Sequence, residues 1–314
     1  MADIHLTYDT ANEDYQRALT YAESNCNFTI IDGDLTSTGA ESELQLFKSI
    51  GDAYSPTKPK YPITGNHENF STVCHSFLQT YTGYPLYYTV TNEPTNEANR
   101  NYYNADVGDD VFIMVGHYGG YGGDGIGWKS DEFLSQEELQ WFYETLEKYR
   151  NRRCFVHFHV LPHEHGVGNP NGLYKSALIW KVNDGGLGQS VINLLRHYKN
   201  TITFHGHSHT MLELQEIDKK ANYSSVDDYK SVHIPSLAVP RDLAESGTTL
   251  ENVYAESEGY IVDVYDDNIV LNGRDFIDND ADGHIIPIAT YKIDTPLVEI
   301  EPGTFTDSTG TITT

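Results

Sequence analysis

"ITFHGHSHT", residues 202–210, ends an apolar run with histidines at the alternate positions 205, 207 and 209. Alternate residues of an extended strand point to one face, so the three imidazoles would share a face if the run stayed extended. A core strand has no need of three imidazoles, whereas a metal site does. Histidine spacing alone is a weak indicator, so the rest of the chain has to decide between the two.

The composition is that of a globular chain with a strong excess of acidic residues. Of 314 residues, 39% are hydrophobic, and 46 acidic residues against 20 basic ones give a formal charge of −26. A charge of this sign disfavours a nucleic acid or an anionic membrane surface as the partner. No apolar run reaches about 18 residues, so the sequence predicts no membrane span. The three cysteines form no CxxC pair, which argues against a thiolate metal site.

Strands, loops and helices alternate along the first two thirds of the chain. Helical spacing of apolar residues predicts helices, and short apolar runs predict strands between them. The predicted helices cover 12–24, 41–50, 70–81, 135–150 and 188–200, and the predicted strands cover 26–32, 61–64, 110–117, 154–160 and 202–210. This alternation indicates parallel strands with helical crossovers. After residue 211, strand-like runs joined by turns predict an antiparallel region.

Side chains with metal-ligand chemistry stand at the ends of five predicted strands. The clusters are Asp3 and His5 in "DIH", Asp34 in "GDL", Asn66, His67 and Glu68 in "GNHE", His157 and His159 in "VHFHV", and His207 and His209 in "GHSH". In open α/β sheets, sites form in the loops after the carboxyl ends of strands. Imidazole, carboxylate and amide donors without thiolates suit Mn, Fe or Zn. There are too many donors for one tetrahedral ion, so they favour two ions about 3.5–4 Å apart that share a carboxylate.

The order of these motifs resembles that of the calcineurin-like metallophosphoesterase superfamily. The motifs extend over residues 3–209 as Asp3-x-His5, Gly33-Asp34, GNHE at 65–68, a lone strand-end histidine and GHSH at 206–209. The resemblance implies an α/β fold, a four-layer α/β/β/α sandwich of mixed sheets with flanking helices. It places a single phosphoesterase domain at 1–300, antiparallel-rich from about 211, and leaves 301–314 as a linker-like tail.

The resemblance also implies a role for each motif residue. One ion would be held by Asp3, His5, Asp34 and His209, and the other by Asp34, Asn66, His159 and His207. Asp34 would bridge the two divalent or trivalent ions, and a water or hydroxide between them would attack the phosphorus. Asp34 and His67 are the expected catalytic residues. An unligated imidazole gives or takes a proton near neutral pH, so His67 would contact the substrate phosphate or protonate the leaving oxygen.

Several residues keep two interpretations. His157 competes with His159 for the ligand position, and the alignment with the superfamily favours His159, which is nearer the strand end. Glu68 either orients His67 or caps the helix predicted after it. His205 is not required by the motif and is interpreted as a hydrogen-bonded core histidine.

Two loop segments carry further polar residues. His163 and His165 follow a strand and are interpreted either as solvated loop histidines, which are commoner, or as residues that approach the substrate. "DNDADG" at 278–283 resembles the start of a calcium loop, but Ala289 stands where that loop needs a bidentate glutamate. A tight acidic turn is the favoured interpretation.

Departures from particular branches of the superfamily narrow the predicted function. Purple acid phosphatases carry a tyrosine three residues after the bridging aspartate, where this chain has Ser37, and protein Ser/Thr phosphatases carry an arginine where it has Thr64. The prediction is metal-dependent hydrolysis of a small-molecule phosphate mono- or diester. The alternatives are a cyclic-nucleotide or glycerophosphodiester phosphodiesterase and a phosphate-ester binding protein without turnover. No expected ligand is missing, and His67 is present, which favours an enzyme.

The two ends of the sequence resemble internal segments of a longer chain. "MADIHLTYDT" opens inside a strand end, which predicts a truncated N-terminus, and the Thr-rich close is typical of a linker. The many Tyr, Asn and Thr residues and the few Lys favour an extracytoplasmic or secreted protein. No motif indicates an oligomeric state.

Overall fold

The computed structural model describes residues 1–8, 10–68, 102–116, 134, 136–160, 188–217, 223–224, 229–246, 249–279, 285–306 and 311–313. Its helices are α1 Ala11–Asn25, α2 Glu41–Tyr54, α3 Gln136–Lys148, α4 Gly188–His197 and α5 Leu212–Ile217. Its strands are β1 Thr29–Asp32, β2 Lys60–Ile63, β3 Tyr102–Val107, β4 Asp110–Val115, β5 Cys154–Phe158, β6 Thr201–His205, β7 Tyr223–Ser224, β8 Lys230–His233, β9 Arg241–Leu243, β10 Leu250–Asn252, β11 Glu258–Val264, β12 Asn268–Asn279, β13 Ile285–Asp294, β14 Thr304–Thr306 and β15 Thr311–Thr313. The predicted alternation of strands and helices is present, and the helix predicted at 70–81 lies outside the described residues.

The largest sheet in the described part of the chain is a mixed sheet of six strands in the order β3-β4-β5-β6-β8-β7. Its inner strands β4, β5, β6 and β8 run parallel, while β3 and β7 are antiparallel edges. α3 lies between β4 and β5 in the chain, and α4 lies between β5 and β6, as crossovers between parallel strands require. Most of the described strands after residue 211 pair antiparallel. β8 also pairs in parallel with β6, because the long connection between them allows a parallel crossover.

The elements stack as four layers. α3 and α4 pack on one face of the central sheet through Leu139, Phe142 and Leu195. Against its other face lies a second layer of strands, formed by the parallel pair β1-β2 and the antiparallel β11-β12-β13. α1 and α2 cover that layer, with Tyr15 stacked on Phe47 at 5.2 Å. The predicted mixed α/β fold, with its α/β/β/α order of layers, is confirmed.

The helices form where apolar side chains recur with helical spacing. The predicted buried stripes are confirmed for α1, with Tyr15, Ala18, Leu19 and Ala22, and for α3, with Leu139, Phe142 and Leu146. Each large apolar side chain buried in this way contributes about 1.5–3 kcal/mol before the entropic cost of ordering. Within the described residues, no helix has the length and apolarity to cross a membrane.

The strands that precede the polar motifs end at one edge of the molecule. β6 ends at His205, and the next two histidines have left-handed backbone, with φ of 74° at His207 and 63° at His209. The extended run therefore ends at His205, and the condition for three imidazoles on one strand face is not met. The left-handed residues turn the loop back, so that His207 and His209 both reach the loops after the other strands.

The end of the chain packs on the helical layer and does not behave as a linker where it is described. Ile300 and Phe305 join the core that α3 and α4 form with the sheet, and Phe305 stacks on Tyr143 at 5.3 Å. The Tyr143 hydroxyl donates to Gly303 O at 2.7 Å, and β14 pairs with β15 in a hairpin. Two apolar side chains among threonines are enough to anchor a segment that composition alone describes as linker-like.

Candidate metal centre

Four loops and the first residues of the chain meet at one edge of the two strand layers. The loops follow β1, β2, β5 and β6, whose carboxyl ends lie side by side. Asp3 and His5 join them because the first residues run beside β1, with Asp3 N–H donating to Gly33 O at 3.1 Å and His5 N–H to Asp34 O at 2.9 Å. All the residues predicted as ligands meet there and are buried: Asp3, His5, Asp34, Asn66, His159, His207 and His209.

Group one consists of the donors Asp3, His5, Asp34 and His209. His5 Nε2 lies 3.1 Å from His209 Nε2 and 3.6 Å from Asp34 Oδ2. His209 Nε2 lies 3.3 Å from Asp3 Oδ1. Donors bound about 2.0–2.2 Å from one ion lie about 3–3.5 Å from each other, so these spacings fit a shared metal.

Group two consists of Asp34, His159 and His207, and it shares Asp34 with group one. His159 Nε2 lies 3.2 Å from Asp34 Oδ2 and 3.2 Å from His207 Nδ1. Asn66 Oδ1 lies 3.0 Å from His159 Nε2 and adds an amide oxygen to the group. Oδ2 of Asp34 thus faces both groups, which is the arrangement of a bridging carboxylate.

Each of the two aspartates is oriented by a backbone amide on its other oxygen. His207 N–H donates to Asp3 Oδ2 at 2.9 Å, and His67 N–H donates to Asp34 Oδ1 at 2.9 Å. Asp3 Oδ1 is buried and has no hydrogen-bond partner among the described residues. A buried carboxylate oxygen without a donor is costly, and a cation bound to it would remove that cost. The residues therefore fit metal ions.

Two of the donor histidines are held in a metal-binding tautomer. His159 Nδ1–H donates to Asp32 O at 2.8 Å, and His209 Nδ1–H donates to Val239 O at 3.0 Å. Because Nδ1 carries this proton, Nε2 of each ring is the atom that faces the other donors, as in metal-ligating histidines. The Nε2 atoms of His5 and His209 lie 3.1 Å apart. Their lone pairs repel each other unless a proton or a cation lies between the two nitrogens.

The backbone of the site is strained. Positive φ angles occur at Asp3 (52°), His5 (47°), Asp34 (48°), His207 (74°) and His209 (63°). The left-handed conformation costs an L-residue with a side chain about 1–2 kcal/mol, and such residues cluster at functional sites. The strain persists because the surrounding sheets and helices hold the loops in place.

Glycines precede three of the donors because the loops approach each other closely. A Cβ atom added at Gly206 would lie 2.6 Å from Asp3 Oδ2, and one added at Gly33 would lie 2.6 Å from His159 Cγ. A Cβ atom added at Gly65 would lie 2.8 Å from Asp34 Cγ. A carbon atom does not fit at such distances, so the G-D, G-N and G-H pairs reflect the need for close backbone approach.

The charges of the site are strongly coupled. Burial opposes ionisation of Asp3 and Asp34, but His209 beside the first and His159 beside the second hold the pKa of both carboxyls below its usual range. Burial also opposes protonation of His159, yet the Asp34 carboxylate raises its pKa to about 10. Burial lowers the pKa of His5 to about 3 and that of His207 well below its ordinary value. The carboxylates thus attract a cation, and a metal ion would displace the proton that they hold on His159.

His67 lies beside the two groups without belonging to either. Its Nδ1–H donates to Ser37 O at 2.6 Å, and its Nε2 lies 3.9 Å from Asp34 Oδ2. The side chain is 22% exposed, whereas that of Asp34 is 2% exposed. His67 therefore stands at the boundary between the donors and solvent, where a substrate would arrive.

A cleft of about 230 Å³ opens over the donors. Its lining includes residues that the sequence does not single out: Tyr8, Val239, Arg241, Asn252 and Tyr254. Arg241 is held by its backbone, whose N–H donates to His209 O at 2.7 Å, and by Asn252, which accepts from its Nε at 3.1 Å. No motif marks these positions. Tyr8 follows the first ligands in the chain, and the other four reach the cleft through the fold of the chain after β8.

The structure separates the residues that kept two interpretations. His157 lies outside both groups, with its Nδ1–H on the Asp32 carboxylate at 2.9 Å, whereas His159 lies in group two. His205 is buried and bonded to Ser231 Oγ at 3.1 Å, as expected of a core histidine. The helix that Glu68 would cap lies outside the described residues. The Glu68 carboxylate accepts from Thr36 N–H at 2.9 Å and Gly65 N–H at 2.8 Å, and so ties the loops after β1 and β2 together.

Some predicted features lie outside the described residues. These are His163 and His165, residues 280–283 of "DNDADG", and most of the Gly- and Tyr-rich loops at 81–128 and 167–175, which the sequence predicts to border the cleft.

The comparison with protein families agrees with the motif order. Residues 1–211 match the family model for calcineurin-like phosphoesterases. The chain belongs to this family. The family takes its name from the hydrolysis of phosphoric esters. The resemblance drawn from the motifs over residues 3–209 is confirmed. A comparison with curated protein sequences found no significant match.

Comparison with solved structures gives matches at low sequence identity, of which the first shares the fold of this chain. A purple acid phosphatase from yellow lupin (Lupinus luteus) seeds has a TM-score of 0.53 and 14% identity, and the match covers 94% of this chain and 53% of that one. A conserved protein from Streptococcus pneumoniae, described as a predicted phosphoesterase, has a TM-score of 0.37 and 11% identity, with 94% of each chain covered. Vps29 from Chaetomium thermophilum has a TM-score of 0.36 and 10% identity, with 95% of each chain covered. This phosphoesterase spans about half the length of the purple acid phosphatase.

Proposed function

We propose that this phosphoesterase hydrolyses small-molecule phosphate mono- or diesters at a centre of two metal ions. The observation that carries the proposal is that the two groups of donors share Asp34. Group one would hold one ion, and group two together with Asn66 would hold the other. Mn, Fe or Zn suit these donors, since all are imidazole, carboxylate or amide groups.

The residues supply positioning and proton transfer around the ions. When bound, two such ions polarise phosphate oxygens and lower the pKa of a nearby water molecule. Hydrolysis forms a bond from a water oxygen to phosphorus, and that water releases a proton. It also breaks the bond from phosphorus to the ester oxygen, which must gain a proton. His67 is placed to deliver it, because Ser37 O holds its Nδ1–H and leaves Nε2 facing the cleft.

Arg241 gives the cleft a positive charge opposite the donors. Its backbone is bonded to His209 O and its side chain to Asn252, so it is held near the cleft before substrate binds. A guanidinium at this position suits a phosphate oxygen, with which it forms charge-assisted hydrogen bonds. Tyr8 and Tyr254 border the same cleft and offer aromatic surface to the group that the phosphate carries.

The size and charge of the molecule favour a small substrate. The cleft volume of about 230 Å³ is below the range of about 300–1,000 Å³ that is usual for drug-sized ligands. The formal charge of −26 repels an extended polyanion such as a nucleic acid. A phosphate ester with a small organic group meets both conditions.

Metal analysis of matched histidine variants tests the two-metal proposal. After loading with manganese or zinc and removal of free metal, we expect two equivalents on the wild-type protein. His159→Asn should lose one of them, because His159 Nε2 lies 3.2 Å from Asp34 Oδ2. His157→Asn is the matched control and should keep both, since His157 contacts Asp32 instead. A single equivalent on the wild type, or equal losses in the two variants, would refute the assignment.

A pair of chromogenic esters distinguishes the substrate classes. p-Nitrophenyl phosphate reports monoester hydrolysis, and bis-p-nitrophenyl phosphate reports diester hydrolysis. Hydrolysis of either by the metal-loaded protein, lost on chelation and restored by metal, supports the proposal. Turnover of the diester alone would assign a phosphodiesterase. Absence of turnover of both, with two metals bound, would instead favour a phosphate-ester binding protein.

A further inference from the structure

The loop that carries His207 and His209 is anchored by the residue between them. Ser208 is fully buried, and it does not line the cleft that both histidines border. Its Oγ lies 2.8 Å from His233 Nε2 and 3.0 Å from Thr210 Oγ1. The hydroxyl of Ser208 is therefore bonded within the protein interior, while its two neighbours supply donors to the metal centre.

His233 is the last residue of β8 and is fully buried. In the parallel pairing of β6 with β8 it is the register partner of His205, so it lies at the end of the sheet where the loop after β6 begins. Its Nδ1 is buried and has no hydrogen-bond partner among the described residues. The bond from Nε2 to Ser208 is therefore the hydrogen bond that its side chain makes in this part of the structure.

The imidazole of His233 costs more free energy at this position than an apolar side chain would. A buried polar atom without a partner is destabilising, and Nδ1 of His233 is such an atom among the described residues. What the imidazole supplies and an apolar side chain cannot is the bond to Ser208 Oγ. The effect of that bond on the loop is therefore the feature that distinguishes a histidine at position 233.

The loop needs an anchor because its backbone is strained on both sides of Ser208. φ is 74° at His207 and 63° at His209, and left-handed histidines persist only where the surrounding structure holds them. The first is held by its N–H, which donates to Asp3 Oδ2 at 2.9 Å, and the second by its carbonyl, which accepts from Arg241 N–H at 2.7 Å. The bond from Ser208 holds the middle of the loop between these two contacts.

Ser208 stands where one contact affects both proposed ions. His209 belongs to group one of the donors and His207 to group two. A shift of Ser208 moves both neighbours, because the three residues are consecutive. Residues that orient metal ligands without touching the metal typically change metal affinity or activity by about 10–100-fold when they are substituted.

We propose that His233 is a positioning residue of the metal centre and acts through Ser208 on His207 and His209. His233 belongs to neither group of donors and does not line the cleft, so it contacts neither ion nor substrate. Its bond keeps the loop in the left-handed form in which the two imidazoles face the other donors. This inference rests on the proposed function, because it concerns the two ions that the centre is proposed to hold.

His205 offers a matched comparison on the neighbouring strand. It is buried like His233, its Nδ1 also has no partner among the described residues, and the two ring centroids lie 5.5 Å apart. Its Nε2 is bonded to Ser231 Oγ at 3.1 Å, and Ser231 lies within β8 and adjoins no donor. The two histidines therefore share burial and chemistry and differ in whether their bond reaches the metal-binding loop.

Metal titration of two amide variants tests the role of His233. Glutamine and asparagine carry the same amide group, but only glutamine is long enough to place it where histidine Nε2 lies. We expect His233→Asn to weaken the binding of both manganese ions by about 10–100-fold, measured against a competing chelator with initially metal-free protein. His233→Gln should bind both ions nearly as tightly as the wild-type protein. Rescue by glutamine and not by asparagine would identify the bond to Ser208 as the cause.

His205→Asn is the control variant. It should keep both affinities, because its partner Ser231 does not adjoin a donor. Equal weakening by His205→Asn and His233→Asn would attribute the effect to a general loss of stability and overturn the proposal. The same conclusion would follow from unchanged affinities in His233→Asn, from weakening of one ion alone, or from failure of His233→Gln to restore binding.

Ser208→Ala tests the same bond from its other end and does not require the His233 variants to fold. It should weaken the binding of both ions to a similar extent. The double variant with His233→Asn should bind no more weakly than either single variant, since two substitutions that remove one shared interaction are not additive. Unchanged binding in Ser208→Ala, or additive losses in the double variant, would overturn the proposal.

Titration of the wild-type protein separates this inference from the proposed function. A wild-type protein that binds fewer than two ions would refute the two-metal centre and with it the role of His233. Two ions bound by the wild type, with equal affinities in His233→Asn, would refute the role of His233 alone. The readout is equilibrium metal binding, so neither conclusion depends on turnover.

Discussion

Asp34 concentrates several constraints in one residue. Its backbone is left-handed with φ of 48°, one carboxylate oxygen accepts from His67 N–H, and the other faces both groups of donors. An aspartate in this conformation costs about 1–2 kcal/mol, which other backbone contacts of the loop must offset. This left-handed conformation directs Asp34 Oδ2 towards both groups of donors. The backbone strain at Asp34 is therefore a consequence of the position that the proposed bridging role requires.

His67 should affect turnover without affecting metal binding. We expect His67→Gln to lower kcat by about 10²–10⁴-fold, because glutamine cannot deliver a proton to the leaving oxygen. The measurement is steady-state kinetics with metal content determined on the same preparation. His197→Gln, at a half-buried histidine bonded to Glu301 O, is the control and should leave both unchanged. Loss of metal from His67→Gln would show that His67 is a ligand.

At the scale of elements, the loops after β1 and β2 approach each other closely beside Asp34. Glu68 holds these loops together through Thr36 and Gly65, and Gly65 leaves room for Asp34. Burial raises the pKa of Glu68 to about 7, and the nearby Asp34 carboxylate acts in the same direction. A buried acid of this kind is a structural tie whose role is not visible from the GNHE motif.

Gly65→Ala should damage the metal centre by a purely steric route. The added Cβ would meet Asp34, including Cγ at 2.8 Å, and push the bridging carboxylate away. We expect metal content and kcat to fall together, measured by metal analysis and kinetics. Gly108→Ala is the control, since it has no neighbour within 4 Å but a φ of 62°. It should lose about 1 kcal/mol of stability and keep both metals; an unchanged metal content in Gly65→Ala would contradict the steric argument.

The C-terminal hairpin should contribute to stability through one aromatic side chain. Phe305 is 9% exposed and stacks on Tyr143 of α3. We expect Phe305→Ala to lower the free energy of unfolding by about 2–4 kcal/mol in chemical denaturation. Thr304→Ala, at an exposed neighbour, should change it by less than about 0.5 kcal/mol. Similar values for the two variants would mean that the tail is a linker after all.

At the scale of the whole molecule, a buried carboxyl group makes the free energy of unfolding depend on pH. Glu258 is fully buried at the start of β11, and Leu212 N–H donates to its Oε2 at 2.8 Å. Burial raises the pKa of Glu258 well above the ordinary value of 4.5. Between those two pKa values the folded chain binds more protons than the unfolded chain, so the free energy of unfolding falls as pH rises.

Glu258→Gln should remove this dependence. Glutamine keeps an oxygen for Leu212 N–H but carries no charge to bury. We expect Tm of the variant to match that of the wild type near pH 4 and to exceed it by a few degrees at pH 8. Glu251→Gln, at an exposed glutamate of β10, is the control. A constant difference in Tm across this pH range would exclude Glu258 as the source.

The sequence by itself determined the kinds of donor, their order along the chain and their place at strand ends, because these depend on local periodicity and residue chemistry. That was sufficient for the family and for the layered α/β fold. Only the tertiary structure decided that His159 and not His157 meets Asp34, that β8 is parallel, that Arg241 borders the cleft and that residues 300–305 pack on α3. These features arise from contacts between residues far apart in the chain. They depend on backbone turns and sheet pairing, which short-range spacing does not encode.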